Sequence, residues 1–145
     1  MIGLVVTGHG LFAEGMHSSA NMIAGENELV KYVCFKEGMN TEQLAEDLIA
    51  AYNSLGDCDG IIVLSDLPGG SPFRTAVESS MTLPEKKIIV LSGTNLPMII
   101  TASTMLSFES DPMALADELL FEGKDNVVRF EMAAREEVEE DEDGI

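Results

Sequence analysis

The chain has 145 residues and a mass of 15.6 kDa, of which 46% are apolar, with a mean hydropathy of +0.14. This length and composition predict one globular domain and exclude a wholly disordered chain. Eight lysines and arginines stand against 26 aspartates and glutamates, which gives a net charge of −18 and a pI near 4.1. Nucleic acids and anionic membrane surfaces both attract clustered cations, so the composition argues against either as a partner.

The acidic residues are concentrated at the C-terminus. Residues 131–145 hold eight acids and one arginine, so they carry −7 and leave −11 for the first 130 residues. Like charges repel, and such a run has little to bury. We therefore predict a domain over residues 1–135 and a disordered acidic tail over 136–145, which solvates the chain rather than binding a partner.

Cysteine usage and the N-terminus bear on the compartment. Cys34 and Cys58 lie in apolar runs without metal-ligand or CxxC spacing, which predicts buried, reduced thiols. The first ten residues lack the basic segment of a signal peptide, and no apolar run approaches the roughly 20 residues of a membrane span. We expect a cytoplasmic protein whose link to any membrane runs through a partner.

The first half of the chain predicts two strands and two helices. In order, they are a strand over 2–7, a helix over 11–24, a strand over 28–35 and a helix from Asn40 or Thr41 to residue 55. Gly25 and Gly56 are typical helix ends. In the first helix Leu11, Gly15, Ser18 or Ser19, and Met22 can share one face. In the second helix an apolar stripe is formed by Leu44, Leu48, Ala51 and Leu55.

The second half continues the alternation. A strand over 61–64 runs into the loop before Ser71 and Pro72, where serine can cap a helix and proline fits its first turn; this helix reaches about residue 81. A strand over 87–91 follows. Asn95 caps a helix to about 108, Asp111 opens one to about 122, and 126–130 is a last short strand. The pattern predicts a doubly wound, mostly parallel α/β sheet of order 2-1-3-4 with a short C-terminal edge strand.

Residues at two strand ends carry the candidate chemistry. In this strand order the first and third strands are neighbours, and ligands bind where the order reverses between them. His9 follows the first strand and Asp66 follows the third, so their side chains are expected to meet. A carboxylate that accepts one imidazole N–H sets the tautomer and makes the other ring nitrogen a better nucleophile.

The loop after Asp66 offers what an anion needs. Gly69 and Gly70 allow close approach of the backbone, and Ser71 brings a hydroxyl group and the positive end of a helix dipole. Together with His9 these residues predict phosphoryl transfer onto and off the histidine, a reaction that depends mainly on positioning and charge stabilisation.

Each of these residues also has a plainer interpretation. His9 would then be a polar loop residue, Asp66 a cap for backbone N–H groups, and Gly-Gly-Ser-Pro a tight turn into a helix. Their coincidence at the predicted binding edge favours a site. A hydrolase triad of Ser71, His9 and Asp66 is a further alternative, although Ser71 lacks a Gly-x-Ser-x-Gly elbow and Pro72 removes the N–H that an oxyanion hole would use.

Three other groups of residues receive structural predictions. His17, in the middle of the first helix, is expected at the surface or in packing rather than in catalysis. Arg74, one turn into the helix after the loop, is either an exposed helical residue or a contact for phosphate or a partner. Helical spacing predicts core positions for Met98, Met105 and Met113.

Three motifs together resemble a known family. GLVVTGHGLFAEGM at the start, the loop DLPGGSPF and SGTNLPM after the fourth strand stand in the order found in IIA components of the mannose family of the bacterial phosphoenolpyruvate-dependent sugar phosphotransferase system. The likeness runs from residue 1 to about 130 and leaves the acidic tail outside.

The resemblance implies specific roles. His9 would accept a phosphoryl group from the histidine-containing phosphocarrier protein and pass it to a IIB component, which serves a membrane permease. Asp66 would orient His9, and Leu67, Gly69, Gly70 and Ser71 would bind the phosphoryl group. It further implies a homodimer in which strand 126–130 crosses to the other subunit, and neither a metal nor an organic cofactor.

The chain departs from its relatives at two positions on the rim of this site. Many relatives carry an aromatic residue in place of Pro68, and several carry a small polar residue in place of Arg74, so these two positions are candidate partner contacts. Alternatives within the same fold are a regulatory IIA-like module and the phosphocarrier subunit of a dihydroxyacetone kinase.

Overall fold

The computed structural model describes residues 1–132, which fold into four strands and five α-helices in β/α alternation. The elements are β1 (Ile2–His9), α1 (Phe12–Ala24), β2 (Val30–Phe35), α2 (Thr41–Ser54), β3 (Gly60–Ser65), α3 (Ser71–Met81), β4 (Ile88–Leu91), α4 (Leu96–Met105) and α5 (Pro112–Asp125). A single 3-10 turn at Pro84–Lys86 precedes β4 within this part of the chain. None of the helices in residues 1–132 is long and apolar enough to cross a membrane.

The sheet has the predicted order β2-β1-β3-β4, and all its strand pairs are parallel. Its central strands are buried on both faces, because helices cover both sides of a parallel sheet. Leu4 and Leu64 pack on the side of α1, α4 and α5, whereas Val5 and Val63 pack on the side of α2 and α3. The doubly wound α/β fold class is confirmed.

Local signals set most helix boundaries. Asn40 forms a capping box with Gln43, whose backbone N–H lies 2.8 Å from the asparagine oxygen. Asn95 and Asp111 cap α4 and α5 through their side chains, as predicted. Gly25 follows α1 with φ +78°, a backbone conformation that a residue with a side chain rarely adopts. The predicted α2 stripe through Leu44, Leu48, Ala51 and Leu55 is buried.

Several predicted boundaries shift. Gly70, not Ser71, is the N-cap of α3, because Gly70 has the extended cap conformation and Ser71 is already helical. Helix α4 ends at Met105 rather than 108, because the chain turns there to bury Leu106. Helix α5 continues to Asp125, three residues beyond its predicted end.

The predicted strand over 126–130 is wrong for the single chain. Val127, Val128 and Phe130 are each more than three quarters exposed, and no strand of the described residues pairs with them. A strand needs a hydrogen-bonding neighbour, and no segment of residues 1–132 provides one here. The predicted disordered tail over 136–145 lies outside the described residues.

Two predictions about which residues face the core need correction. Helix α1 buries Ala13 and Ala20, whereas Leu11 and Met22 of the predicted face are exposed, because small residues form the side that packs on the sheet. Met113 is exposed in the first turn of α5, where Leu115 and Leu119 face the core. Met98 is buried and Met105 half-buried against the core, as expected.

The cysteine prediction holds only in part. Both Cys34 and Cys58 are free thiols, but each is half-buried rather than fully buried. Cys34 lies on the edge strand β2, where one side of the backbone has no neighbouring strand, and Cys58 lies in the loop before β3.

Candidate functional site

The chain crosses to opposite faces of the sheet after its two central strands. Helix α1, which follows β1, packs with the core on one face, and helix α3, which follows β3, packs on the other. This divergence opens a crevice at the carboxyl ends of β1 and β3. His9 is the last residue of β1, and Asp66 comes directly after β3.

His9 and Asp66 are in direct contact. The Asp66 Oδ2 atom lies 2.7 Å from Nδ1 of His9 and accepts the backbone N–H of His9 at 2.9 Å. The other oxygen, Oδ1, accepts the backbone N–H of Leu67 at 2.8 Å. The Asp66 side chain is only 12% exposed, while that of His9 is 47% exposed. The contact expected from the strand ends is present.

The ionisation of Asp66 follows from these contacts. Burial disfavours the charged carboxylate and by itself raises its pKa, but the hydrogen bonds from His9 and Leu67 outweigh burial and hold the pKa of Asp66 below its ordinary value of 3.8. At neutral pH Asp66 is therefore a carboxylate with acceptors only, so Nδ1 of the neutral His9 ring must carry the proton. The lone pair then lies on Nε2.

Two glycines let the chain close around the histidine. A Cβ atom on Gly70 would lie 2.9 Å from Cε1 and 3.6 Å from Nε2 of His9, so the backbone before α3 runs along the reactive edge of the ring. A Cβ atom on Gly8 would lie 2.5 Å from the Phe12 ring and 3.0 Å from Cγ of Asp66. Any side chain at either position would displace the His9–Asp66 pair.

The start of α3 supplies donors beside Nε2. The first N–H groups of a helix have no intrahelical acceptor, and Pro72 has no N–H. The Arg74 N–H already bonds to the Gly70 carbonyl at 2.9 Å, which leaves Ser71 and Phe73 as the donors of this first turn. Gly69 has φ +77°, so it makes the turn that brings them into place. Such a helix start suits an anion.

The loop after β4 forms hydrogen bonds with the end of β3, a role that the sequence analysis did not predict. Thr94 binds the Ser65 carbonyl twice, from its hydroxyl at 2.7 Å and its N–H at 3.2 Å. The N–H of Gly93 bonds to the Asp66 carbonyl at 3.2 Å. The quoted motif SGTNLPM contains these residues, and the parallel pairing of β3 with β4 is the signal that would have placed them here.

The remaining predicted residues lie around this centre. Leu67, Pro68 and Arg74 are exposed on the loop and first turn of α3. His17 stacks on Tyr32 with ring centroids 4.2 Å apart and contacts Glu26 through Nε2 at 2.7 Å, which confirms its packing role.

A groove of about 620 Å³ runs along β2 beside His17 and does not include His9. Through residue 132, no cluster of three or more histidine, cysteine or acidic side chains is arranged to hold a metal ion.

Fold and geometry together define an α/β protein in which a histidine contacts a carboxylate beside the N-terminus of a helix. Residues 3–120 match the EIIA-man family, described as the fructose IIA component of the phosphotransferase system. The chain belongs to this family, whose members are components of the sugar phosphotransferase system.

The individual relatives that this chain matches are also components of the phosphotransferase system. The chain is 35% identical over 127 residues to the mannose-specific EIIAB component of Escherichia coli K12, an alignment that covers 84% of this chain and 38% of that protein. Thus it spans well under half the length of that relative. It superimposes on the phosphotransferase system component EIIA of Streptococcus agalactiae with a TM-score of 0.80 and 33% identity, covering 90% and 98% of the two chains.

A further solved relative is the mannose/sorbose specific IIA subunit from Enterococcus faecalis. The TM-score is 0.79 at 28% identity, with 90% of this chain and 95% of that chain covered. Its sheet agrees with the order found here, so the topology that places His9 next to Asp66 belongs to the family fold.

Proposed function

We propose that the protein is a cytoplasmic phosphoryl carrier that accepts phosphate on His9 from the histidine-containing phosphocarrier protein and passes it to a IIB component for sugar uptake. The observation that carries this proposal is the 2.7 Å contact between Nδ1 of His9 and Oδ2 of Asp66, with the Nε2 edge against Gly70. Family membership supports the phosphotransferase system as the setting.

The transfer step follows from this geometry. The Nε2 lone pair attacks the phosphorus atom of the donor's phosphohistidine, the P–N bond of the donor breaks, and its electron pair returns to the donor ring nitrogen. Positive charge develops on the His9 ring as the new bond forms, and the Asp66 carboxylate at Nδ1 stabilises that charge. Attack by a nucleophile of the IIB component then breaks the new P–N bond and restores neutral His9.

The phosphoryl group needs local compensation for the negative charge of the protein. The first 130 residues carry −11, but exposed charges are screened beyond roughly 8 Å at physiological salt. In this proposal the N–H groups of Ser71 and Phe73, the Ser71 hydroxyl and the helix dipole lie next to the phosphoryl group, where they are screened far less. Leu67, Gly69 and Gly70 shape the loop that presents them.

Exposure of the histidine supports a protein as the reaction partner. His9 is 47% exposed at an open edge, so a second protein can present its own phosphorylated side chain directly. Leu67, Pro68 and Arg74 are exposed around it and are the proposed contact residues.

We also propose a homodimer in which residues 126–130 pair with β4 of the second subunit. Strand β4 is an edge of the sheet, and Val127, Val128 and Phe130 are apolar and exposed. Sedimentation of the full chain should show a dimer, which Val128→Glu dissociates and Met22→Glu, another exposed apolar site, does not. A monomeric wild-type protein at micromolar concentration would contradict this assembly.

Labelling tests the proposed function directly. Incubation with phosphoenolpyruvate and the general phosphotransferase proteins should add one acid-labile phosphate to the wild type and none to His9→Ala. His17→Gln is the matched control, because it removes the other histidine of the chain and should label normally. Phosphate on the His9→Ala protein would refute the assignment.

The choice of acceptor separates the related alternatives. Transfer from the labelled protein to a IIB component supports the carrier, transfer to a dihydroxyacetone kinase supports a kinase subunit, and altered partner binding without onward transfer supports a regulatory module. Turnover of activated esters that Ser71→Ala abolishes would instead support the hydrolase triad.

A further inference from the structure

Thr7 carries a buried hydroxyl that no protein group satisfies. The residue is 0% exposed in the central strand β1, and its Oγ1 has no hydrogen-bond partner among residues 1–132. Nearly all buried polar groups in folded proteins are paired, since leaving a hydroxyl unpaired in the interior destabilises the fold. The lack of a hydrogen-bond partner for this buried hydroxyl therefore needs a physical explanation.

Thr7 shares a face of strand β1 with His9. Successive side chains of a strand alternate between faces, so Thr7 and His9, two residues apart, share the face of β1 that also carries Val5. Val5 packs on the side of α2 and α3. Thr7 is therefore beneath the helix whose first turn runs along the His9 ring.

Its neighbour in the sheet strengthens this placement. Thr7 pairs in register with Ser65, the residue that immediately precedes Asp66. The Ser65 hydroxyl donates to the Leu91 carbonyl at 3.0 Å and so is satisfied within the protein. Of the Thr7 and Ser65 hydroxyls, only that of Thr7 has no hydrogen-bond partner among the described residues.

Folding alone does not account for a threonine here. Valine has the same branched shape and the same preference for a buried strand, and it would not place an unpaired hydroxyl in the interior. Val5, two residues earlier on the same face, is fully buried and shows that a valine side chain suits this surface.

We propose that Thr7 positions the phosphoryl group: its hydroxyl donates to a phosphoryl oxygen on His9, directly or through one bridging water. The inference rests on the proposed phosphorylation of His9. The hydroxyl is then unpaired only in the resting protein and becomes paired when the phosphoryl group arrives, so the phosphorylated state is favoured by the contact.

Three variants test the proposal. Thr7→Val removes the hydroxyl and keeps the shape, Thr7→Ser keeps the hydroxyl, and Thr7→Ala provides a comparison with Thr7→Ser if the valine variant does not fold. Each is mixed with the phosphorylated histidine-containing phosphocarrier protein, and the equilibrium between donor and His9 is measured by quenched labelling. Melting temperatures are recorded before and after phosphorylation.

The Thr7 hydroxyl should stabilise the phosphorylated protein and should not stabilise the unphosphorylated fold. We expect Thr7→Val to melt at or above the wild-type temperature when unphosphorylated and to lower the transfer equilibrium constant about tenfold, the scale of a hydrogen bond to a charged group. Thr7→Ser should restore the constant to within about twofold. Phosphorylation should raise the melting temperature of the wild type more than that of Thr7→Val.

Two results would overturn the proposal. One is a transfer equilibrium constant that stays within about twofold of the wild-type value in Thr7→Val, or that is the same within about twofold in Thr7→Ala and Thr7→Ser. This result is expected if a permanent buried water satisfies the hydroxyl. The other is an equal loss in Thr7→Ser and Thr7→Val, which would trace the effect to shape. A wild-type protein that takes no phosphate would instead refute the proposed function, independently of Thr7.

Discussion

Asp66→Asn changes the contact that sets the reactivity of His9. The wild-type carboxylate accepts three N–H donors, namely the Nδ1–H and backbone N–H of His9 at Oδ2 and the backbone N–H of Leu67 at Oδ1. An asparagine amide has one oxygen and one NH₂ group at nearly the same positions. Whichever way the amide is turned, at least one of the three donors faces another donor.

The size of the effect follows from the lost acceptor. A hydrogen bond to a charged group contributes about 1.5–3 kcal/mol, and Asp66 is only 12% exposed, so solvent replaces little of it. We expect the free energy of unfolding at pH 7 to fall by about 1.5–3 kcal/mol. Because about 1.4 kcal/mol corresponds to a tenfold rate, acceptance of phosphate by His9 should slow by roughly 10- to 100-fold.

The stability difference between wild type and Asp66→Asn also has a defined pH dependence. Burial raises the pKa of Asp66, but the hydrogen bonds from His9 and Leu67 lower it further, to below 3.8. A group whose pKa is depressed by folding contributes its full stabilisation above its unfolded pKa and loses it as the pH falls through the folded value. The difference should be constant near neutrality and shrink in acid below about pH 4.

Rapid-quench labelling and urea unfolding measure the two quantities. Phosphoryl acceptance is followed from the labelled donor, and unfolding is followed at pH 7 and across the acid range. Asp47→Asn is the matched control, because Asp47 is exposed on α2 and the same chemical change there should leave both quantities unchanged. An Asp66→Asn protein that accepts phosphate within threefold of the wild-type rate would refute the role given to the carboxylate.

Two other perturbations have defined outcomes. Gly70→Ala places a Cβ atom 2.9 Å from Cε1 of His9 and so displaces the His9–Asp66 pair; we expect the labelling rate to fall by more than about tenfold and the melting temperature to fall with it. Gly15→Ala, where a Cβ meets nothing within 4 Å, should label normally and gain about 0.5–1 kcal/mol in urea unfolding. Labelling of Gly70→Ala at the wild-type rate would contradict the close approach. Deletion of residues 136–145 should leave the transfer rate at physiological salt unchanged, since distant exposed charges are screened, and a large loss would show that the tail takes part.

The position of the candidate site was predictable because the ends of the strands can be recognised in the sequence. Short β-branched runs stop at Gly8 and before Asp66, and the alternation of strands with helices favours a parallel sheet. Parallel pairing brings the carboxyl ends of adjacent strands to one edge. Local patterns were therefore sufficient to expect His9 beside Asp66.

The predictions that failed did so for different physical reasons. The apolar run 126–130 has the composition of a strand, but composition does not say which chain supplies the neighbouring strand. Ser71 is a good capping residue, yet the turn at Gly69 places Gly70 in the cap position. The exposed Leu11 and Met22 show that helix α1 turns a face other than the predicted one to the sheet, the face that carries Ala13 and Ala20.

By itself, the sequence indicated the fold class and placed His9 and Asp66 at strand ends, because periodicity, capping residues and glycine turns act over a few positions along the chain. The strand order 2-1-3-4 was an expectation for this fold class that local patterns do not set, and the pairing of the strands confirms it. Only the tertiary structure decided which oxygen of Asp66 holds the His9 ring, how Thr94 supports the loop and that the buried Thr7 hydroxyl has no hydrogen-bond partner among residues 1–132. Those facts depend on distances of a few ångströms between separate strands, and the register of the folded sheet sets such distances.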